Sequence, residues 1–234
     1  MKNQTVFKRY EIKYLITKQQ KNIITDFMHE YMRGDEFGKS TLCNVYFDTD
    51  DYLLIRRSIE KPIYKEKLRI RSYGLASPES KVFVEMKKKY KSVVYKRRIA
   101  MKETEAMNYA CKESQPLKNT QIIQEINYFL SLYKGLAPKV FLSYEREAFY
   151  EKQDANFRIT FDENILWRDY DLSLCSDVYG NPILPDGKVL MEIKTVGAIP
   201  LWMTHVLTEN KIYKTSFSKY GNAYKQIFSA KKGA

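Results

Sequence analysis

Charged residues recur two positions apart within segments that otherwise have the composition of β-strands. Side chains alternate between the two faces of a strand, so each charged pair points one way and its apolar neighbours point the other. Five segments show this pattern, and their charged pairs are Glu11 and Lys13, Arg69 and Arg71, Glu85 and Lys87, Lys96 and Arg98, and Glu192 and Lys194. The pattern predicts a sheet with one charged face and one apolar face.

A single charged pair is ordinary, because antiparallel sheets commonly expose one polar face to solvent. The combination is less ordinary, because arginine and lysine recur from strand to strand and glutamate recurs beside them. Strands that are charged inside and apolar outside fit a closed barrel that carries helices on its outer surface. We therefore predict an α+β fold, a closed antiparallel β-barrel of about eight strands with helices packed outside.

The periodicity of apolar residues predicts the elements of one domain, spanning residues 1–234. Thr17 and Gln20 form a capping box that starts a helix. Further helices are predicted over 119–133, from Pro200 and over 220–231. Strands are predicted over residues 5–16, 41–48, 63–73, 80–89, 92–99, 139–150, 156–167 and 187–197.

The net charge of the chain is strongly positive, formally +12. Such a charge predicts a polyanionic partner: nucleic acid, an anionic membrane or a phosphate-rich small molecule. The sequence has no GxxxxGK[ST] or GxGxxG motif and only nine glycines, so phosphate must be bound by side chains. It has only two histidines, His29 and His205, both in predicted helices, which argues against a His/Cys metal site or a Ser-His-Asp triad.

The three cysteines are widely spaced and form no CxxC motif, which is typical of free thiols in a reducing compartment. The first residues do not resemble a signal peptide, and no stretch approaches the roughly 18 apolar residues that a membrane span needs. We expect a cytoplasmic protein that could lie against a membrane only peripherally.

The charged pairs have the chemistry of a phosphate site. Arginine presents a planar fork that matches phosphate oxygens, and lysine presents a compact point charge. Glu11, Glu85 and Glu192 are hard oxygen ligands of the kind that Mg²⁺ or Mn²⁺ prefers. A metal that bridges carboxylate and phosphate would polarise the phosphorus atom.

Eight segments, in order, resemble the polyphosphate polymerase domain of the vacuolar transporter chaperone (VTC) complex. This domain belongs to the triphosphate tunnel metalloenzymes, the CYTH-like superfamily. The resemblance covers residues 6 to 228, and each segment is weak by itself, whereas the ordered set is specific. The segments are FKRYEIKYLI, KLRIRSYG, VFVEMKKK, VVYKRRI, LSYEREAF, FRITFDENI, LMEIKT and SFSKYGNAY.

The resemblance implies a barrel whose interior holds a triphosphate or a growing polyphosphate. It also implies that the γ-phosphoryl group of ATP is transferred to the end of a phosphate chain, with Mn²⁺ or Mg²⁺ as cofactor. Glu192 would bind the metal, with Glu11 and Glu85 as further candidate ligands. The implied catalytic residues are Lys13, Arg69, Arg71, Lys87, Arg146 and Lys219. The implied phosphate-binding residues are Lys96, Arg98, Tyr144, Arg158 and Ser218, and Asp162 is also expected to face inward.

One departure from the superfamily concerns the first strand. Triphosphatases and class IV-type cyclases usually begin with Glu-x-Glu-x-Lys, whereas this chain reads Arg9-Tyr10-Glu11-Ile12-Lys13. One expected metal ligand is replaced by a cation, which favours holding a long polyanion over two-metal hydrolysis. The SPX sensor and membrane helices of the eukaryotic polymerases have no counterpart in the sequence, so a membrane role would need a separate partner protein.

Two other functions stay open. A metal-dependent triphosphatase or polyphosphatase would use the same tunnel with water as the acceptor. A non-catalytic polyanion-binding module would explain the charge and the lysine run at 87–91, but it would gain nothing from Glu11 or Glu192. We expect ATP and polyphosphate as ligands, and not nucleic acid.

Overall fold

The structure of the chain, a computed structural model, describes residues 10–91, 93–114 and 120–232. Eight strands in these residues are eight or more residues long: β1 (Tyr10–Thr17), β3 (Ser40–Asp48), β4 (Tyr64–Tyr73), β5 (Lys81–Tyr90), β6 (Val93–Lys102), β7 (Ala137–Glu151), β8 (Arg158–Arg168) and β10 (Lys188–Thr195). Three are shorter: β2 (Met32–Gly34), β9 (Asn181–Pro182) and β11 (Lys214–Thr215). The helices are α1 (Lys18–Tyr31), α2 (Leu53–Ile59), α3 (Glu103–Ala110), α4 (Gln121–Leu132), α5 (Leu201–Glu209) and α6 (Lys219–Lys232).

The strands form one antiparallel sheet that is not closed into a barrel. Its order is β11-β1-β10-β8-β7-β3-β4-β5-β6, with β2 beside β7 and β9 beside β8. Within the described residues, β6 at one end and β11 at the other have no hydrogen-bonded partner strand on their outer sides. The prediction of an antiparallel α+β fold is confirmed. The prediction of a closed eight-stranded barrel is wrong, because the ladder ends at these two edges and three short strands raise the number to eleven.

The open sheet is nevertheless strongly curled. Strands β1 and β5 are far apart in the sheet order, yet Lys87 Nζ on β5 lies 3.3 Å from Glu11 Oε2 on β1. The two strands can approach in this way only if the sheet bends around the space between them. The charged residues predicted from the alternation face this enclosed space, so the sheet has a charged inner face.

Four helices pack on the outer face, as expected from its apolar residues. Helices α1 and α5 cover the half formed by β1, β8 and β10, where Ile24, Met28 and Val206 contact Ile16, Met191 and their neighbours. Helices α3 and α4 cover the half formed by β3, β4 and β5. The alternation therefore determines both which face is buried and where these helices lie.

The other two helices correct the prediction that the helices pack outside. At one end, the inner face is apolar, with Leu42, Tyr46, Leu142 and Leu190, and residues of α2 and α6 pack against it. Helix α6 contributes Tyr220, Ala223 and Ile227 to this cluster, and α2 contributes Ile55. The apolar cluster fills one end of the inner face and leaves the other end to charged groups.

Most element predictions are confirmed, including the capping box between Thr17 and Gln20 that starts α1. Helices α2 and α3 and the three short strands were not predicted from the sequence. The predicted strand residues 5–9 and the predicted helix start at Asn119 lie outside the described residues. In the described part of the chain, no helix is long and apolar enough to cross a bilayer.

Candidate functional site

Every predicted site residue lies on the inner face of the curled sheet or in the segment that crosses it. We call this charged part of the inner face the trough. Its predicted residues are Glu11 and Lys13 on β1, Arg69 and Arg71 on β4, Glu85 and Lys87 on β5, Lys96 and Arg98 on β6, Tyr144 and Arg146 on β7, Arg158 on β8, Glu192 on β10, Ser218 just before α6 and Lys219 at its start. The alternation thus brings together residues from seven strands.

Glu192 lies at the centre of one ionic group and is 5% exposed. Its carboxylate is 3.3 Å from Lys13 Nζ, 3.3 Å from Lys194 Nζ and 3.5 Å from Lys219 Nζ. Burial alone would raise the pKa of Glu192, but Lys219, Lys194 and Lys13 outweigh it and hold the pKa well below its usual range. Glu192 is therefore an ionised carboxylate at neutral pH.

Asp162 on β8 belongs to the same group and is fully buried. Arg146 donates two hydrogen bonds to its carboxylate, at 2.6 and 2.7 Å, and Lys219 forms an ion pair with it. Because Lys219 and Arg146 also lie within 4 Å of Glu192, the two cations join both carboxylates. Asp162 was expected to face inward, and its contacts place it in the trough.

Glu11 adds a third carboxylate through a shared lysine. Lys13 Nζ lies 3.4 Å from Glu11 Oε1 and 3.3 Å from Glu192 Oε1. Although burial raises the pKa of Glu11, Lys87, Lys13 and Lys194 lower it to about 2. Glu11 also connects the half of the trough formed by β1, β8 and β10 with the half formed by β4, β5 and β6, because its other oxygen contacts Lys87 on β5.

Glu85 on β5 is the carboxylate of the opposite half, and its side chain is only 1% exposed. Three cations contact it: Arg69 at 2.7 Å, Lys96 at 2.7 Å and Arg98 at 2.7 Å. Burial opposes ionisation, but these cations hold the pKa of Glu85 far below its usual range. Glu85 fixes the direction of three basic side chains, and its predicted role as a metal ligand would require some of them to move away.

Two tyrosines and an asparagine hold the arginines of β4 in place. Arg71 donates to Asn44 Oδ1 at 2.8 Å and to the Tyr144 hydroxyl at 2.7 Å, and Arg69 donates to the Tyr46 hydroxyl at 2.8 Å. Each hydroxyl accepts a guanidinium proton, so its own proton is free to point into the trough. A phosphate oxygen there would receive hydrogen bonds from both the arginine and the tyrosine.

A group of lysines extends the trough beyond Arg69. Along β4, Lys67 and Lys65 follow on the same face, and their register partners on β5 are Lys87 and Lys89. Among the described residues, Lys67 contacts the Ser218 hydroxyl at 3.3 Å and Lys65 contacts the carbonyl of Ser58 at 3.1 Å, and neither forms an ion pair. Burial and the charges of Lys65 and Lys87 lower the pKa of Lys67 to about 7. A bound anion would offset the repulsion among these lysines.

The segment before α6 crosses the trough and contacts both halves. Lys13 on β1 donates to the carbonyl of Phe217 at 2.9 Å, Lys67 on β4 reaches Ser218, and Lys219 pairs with Asp162 on β8. The predicted residues Ser218 and Lys219 are therefore held by contacts with opposite sides of the sheet.

Asp162 and Glu192, with Glu11 close by, are the carboxylates that could hold a divalent cation. They are hard oxygen donors, and Mg²⁺ commonly binds proteins through one or two carboxylates together with substrate phosphates. Lysine ammonium groups occupy the space between these carboxylates, so an ion would have to arrive with phosphates that draw the lysines away. Within the described residues there is no group of three or more His, Cys, Asp and Glu side chains arranged as a complete metal site.

Several residues of the trough were not predicted from the sequence. Lys67 and Lys65 continue the alternation of Arg69 and Arg71 and could have been found from it, and Lys194 was recognised as charged but given no role. Asn44 and Tyr46 left no such signal, because their segment is otherwise apolar. Arg9, which bears on the number of metal ligands, lies outside the described residues.

Comparisons with known proteins are consistent with this geometry. The family model described as "VTC domain" matches residues 8–228. Among solved structures, one similar fold is that of a Bacillus halodurans protein provisionally assigned as an adenylate cyclase, with a TM-score of 0.58 and 18% sequence identity. The alignment covers 92% of this chain and 96% of the Bacillus halodurans chain. A second similar structure is that of a Hippeastrum protein, provisionally an adenylyl cyclase, which is described as having a dominant triphosphatase activity. Its TM-score is 0.50 at 14% sequence identity, and the alignment covers 90% of this chain and 92% of the Hippeastrum chain. Identities this low show a shared fold alone, and no curated protein matches the chain.

Proposed function

Because the chain belongs to the VTC domain family, we propose that it is a polyphosphate polymerase that transfers the γ-phosphoryl group of ATP to a growing polyphosphate chain. The family membership confirms the resemblance found in the eight sequence segments. The reaction would take place in the trough with Mn²⁺ or Mg²⁺.

The observation that carries this proposal is the length of the cationic row on β4. Arg71, Arg69, Lys67 and Lys65 face the trough at every second position. At roughly 3.3–3.4 Å per residue, this row is about 20 Å long. A row of this length, matched by Lys87 and Lys89 on β5, suits a phosphate chain better than a single triphosphate.

The contacts suggest a division of labour between the two halves of the trough. Arg69, Arg71, Lys96 and Arg98 are fixed by neutral groups or by Glu85, and they would bind and align the phosphates. In the other half, Asp162 and Glu192 would hold the divalent ion, and Lys219 would shift from these carboxylates to a phosphate oxygen. The bound ion would neutralise charge on the transferred and leaving phosphates.

The test is incubation of the purified protein with ATP and Mn²⁺, with phosphate-chain length followed on a gel and orthophosphate measured in parallel. Chains that lengthen with little orthophosphate would support the polymerase. Orthophosphate or pyrophosphate without chains would contradict it.

Glu192→Gln is the first variant to examine. We expect turnover to fall by at least about 100-fold, the upper range of losses for disturbed metal sites, because the variant loses a metal carboxylate and keeps every cation. Tripolyphosphate affinity in EDTA should be at least parental, because Lys13, Lys194 and Lys219 lose a competing carboxylate, and this also shows that the variant is folded. Glu30→Gln, on the exposed side of α1, is the matched control. Full turnover in Glu192→Gln would remove Glu192 from the metal site.

A second candidate function is a metal-dependent triphosphatase or polyphosphatase. The side chains of Lys87 and Lys96 in the trough are 45% and 44% exposed, so water can reach phosphates bound there, and a protein of similar fold is described as a triphosphatase. The same assay separates the two functions. Metal-independent binding without turnover would instead favour a polyanion-binding module. A peripheral membrane location and a separate membrane partner stay predictions.

A further inference from the structure

One buried hydroxyl in the trough has no hydrogen-bond partner. Thr160 on β8 is 4% exposed, and its Oγ1 contacts no donor or acceptor among the described residues. Buried side-chain polar atoms are nearly always paired, so an unpaired hydroxyl needs a reason. A ligand that binds beside it would supply that reason.

The position of Thr160 indicates which ligand this is. It lies two residues before Asp162 on the same face of β8 and directly opposite Glu192 on β10. Residues directly opposite in an antiparallel pair have Cβ atoms about 4.5–5.5 Å apart. Thr160 is therefore adjacent to Glu192 across the ladder and to Asp162 along the strand, and these two carboxylates share the cations Lys219 and Arg146.

We propose that Thr160 supplies the third oxygen of a divalent-cation site, beside Glu192 and Asp162. Hydroxyl and carboxylate oxygens are the hard ligands that Mg²⁺ and Mn²⁺ take, and a threonine or serine hydroxyl binds Mg²⁺ in nucleotide-binding loops. The ion enters with a phosphate chain, which attracts Lys13, Lys194, Lys219 and Arg146 away from the carboxylates. The inference rests on the proposed function only for the phosphate that accompanies the ion.

The other unpaired buried hydroxyl provides a matched control. Ser143 on β7 is also fully buried and also lacks a partner among the described residues. Its register partner on β3 is Cys43, whose side chain belongs to the outer-face core, so Ser143 faces away from the trough. Removing either hydroxyl removes the same kind of unpaired group, but only Thr160 neighbours the carboxylates.

The experiment measures tripolyphosphate affinity in EDTA and in Mn²⁺ for the parent protein and the Thr160→Val, Thr160→Ser and Ser143→Ala variants. We expect Mn²⁺ to tighten binding to the parent, and Thr160→Val to lose about tenfold in Mn²⁺ while matching the parent in EDTA. Thr160→Ser should retain the Mn²⁺ effect, and Ser143→Ala should match the parent in both conditions. The Tm of Thr160→Val and of Ser143→Ala should equal or exceed that of the parent, because each loses an unsatisfied buried group.

Three outcomes would overturn the inference: parental affinity of Thr160→Val in Mn²⁺, an equal loss in EDTA and Mn²⁺, or no effect of Mn²⁺ on the parent. None of these readouts uses turnover. A parent that binds as expected but makes no polyphosphate would therefore contradict the proposed function and leave Thr160 in its site.

Discussion

Lys67 is a lysine of the trough that lies near other cations and has no carboxylate partner among the described residues. Burial, together with Lys65 and Lys87, lowers its pKa to about 7, and the described residues offer it only the Ser218 hydroxyl and the ring of Tyr220. A group with a lowered lysine pKa is largely neutral above that pKa. A bound phosphate favours the charged form and so raises the pKa again.

We therefore predict that tripolyphosphate binding takes up protons at pH 8 and that affinity falls as the pH rises above 7. The uptake is measured by calorimetry in two buffers with different ionisation heats. It should shrink in Lys67→Met and stay at the parental value in Lys88→Met, whose side chain points to the other face of β5. Equal proton uptake in the parent and Lys67→Met would contradict this assignment.

Helix α6 shows how an element determines the geometry of the site. Tyr220 donates to the buried carboxylate of Asp48 at 2.9 Å and stacks on Tyr46, whose hydroxyl accepts from Arg69. Asp48 also accepts from the backbone amides of Leu54 and Ile55 at the start of α2. The first turn of α6 is thus fixed to α2 and to the β4 side of the trough.

Gly221 in this turn allows Ser218 to sit close to the helix. A Cβ at position 221 would lie 3.1 Å from Ser218 Cβ and 3.2 Å from Ser218 Oγ, so Ser218 would have to shift. We predict that Gly221→Ala weakens tripolyphosphate binding several-fold, although alanine favours a helix by about 1 kcal/mol. Binding is measured by calorimetry and the free energy of unfolding by urea denaturation. Gly197→Ala, where a Cβ meets no atom within 4 Å, is the control, and unchanged affinity in Gly221→Ala would refute the prediction.

The elements also show what the sequence could and could not predict. Period-two alternation found the eight long strands and the charged face, since both depend on local pattern. Helix α2 was missed because Asp48 caps its start from four residues before Tyr52, with no capping motif in the segment itself. The openness of the sheet could not be predicted, because it depends on whether β6 and β11 find partners across the whole fold. Thr160 was not recognised as a candidate because being unpaired is a property of the packed structure.

The whole molecule carries its surplus of positive charge in the trough. The described inner-face cations far outnumber the four carboxylates Glu11, Glu85, Asp162 and Glu192, so the protein without ligand contains substantial repulsion. A polyanion would remove that repulsion, and it would bind the folded state more tightly than the unfolded chain because only folding brings these cations together.

Tripolyphosphate should therefore stabilise the protein without any metal. At 100 times its Kd the gain is about 2.7 kcal/mol, which corresponds to a rise in Tm of roughly 5–10 °C for a chain of this size. The rise, measured by scanning calorimetry in EDTA, should shrink as NaCl is raised at a fixed tripolyphosphate concentration, because salt weakens the binding. Sulfate at equal ionic strength is the control. A salt-independent rise would show that charge in the trough is not its cause.

The two unpaired edges of the sheet have a consequence for a polymer. A closed ring encircles a thread, which can then leave only when one of its ends passes through. Among the described residues the ladder ends at β6 and β11, and the gap between β1 and β5 is bridged by the Glu11–Lys87 ion pair rather than by a continuous ladder. A phosphate chain could therefore enter from the side where this side-chain contact opens. Retention of a bound polyphosphate would then depend on the number of ionic contacts made at each moment, so affinity should increase with the length bound and decrease with salt.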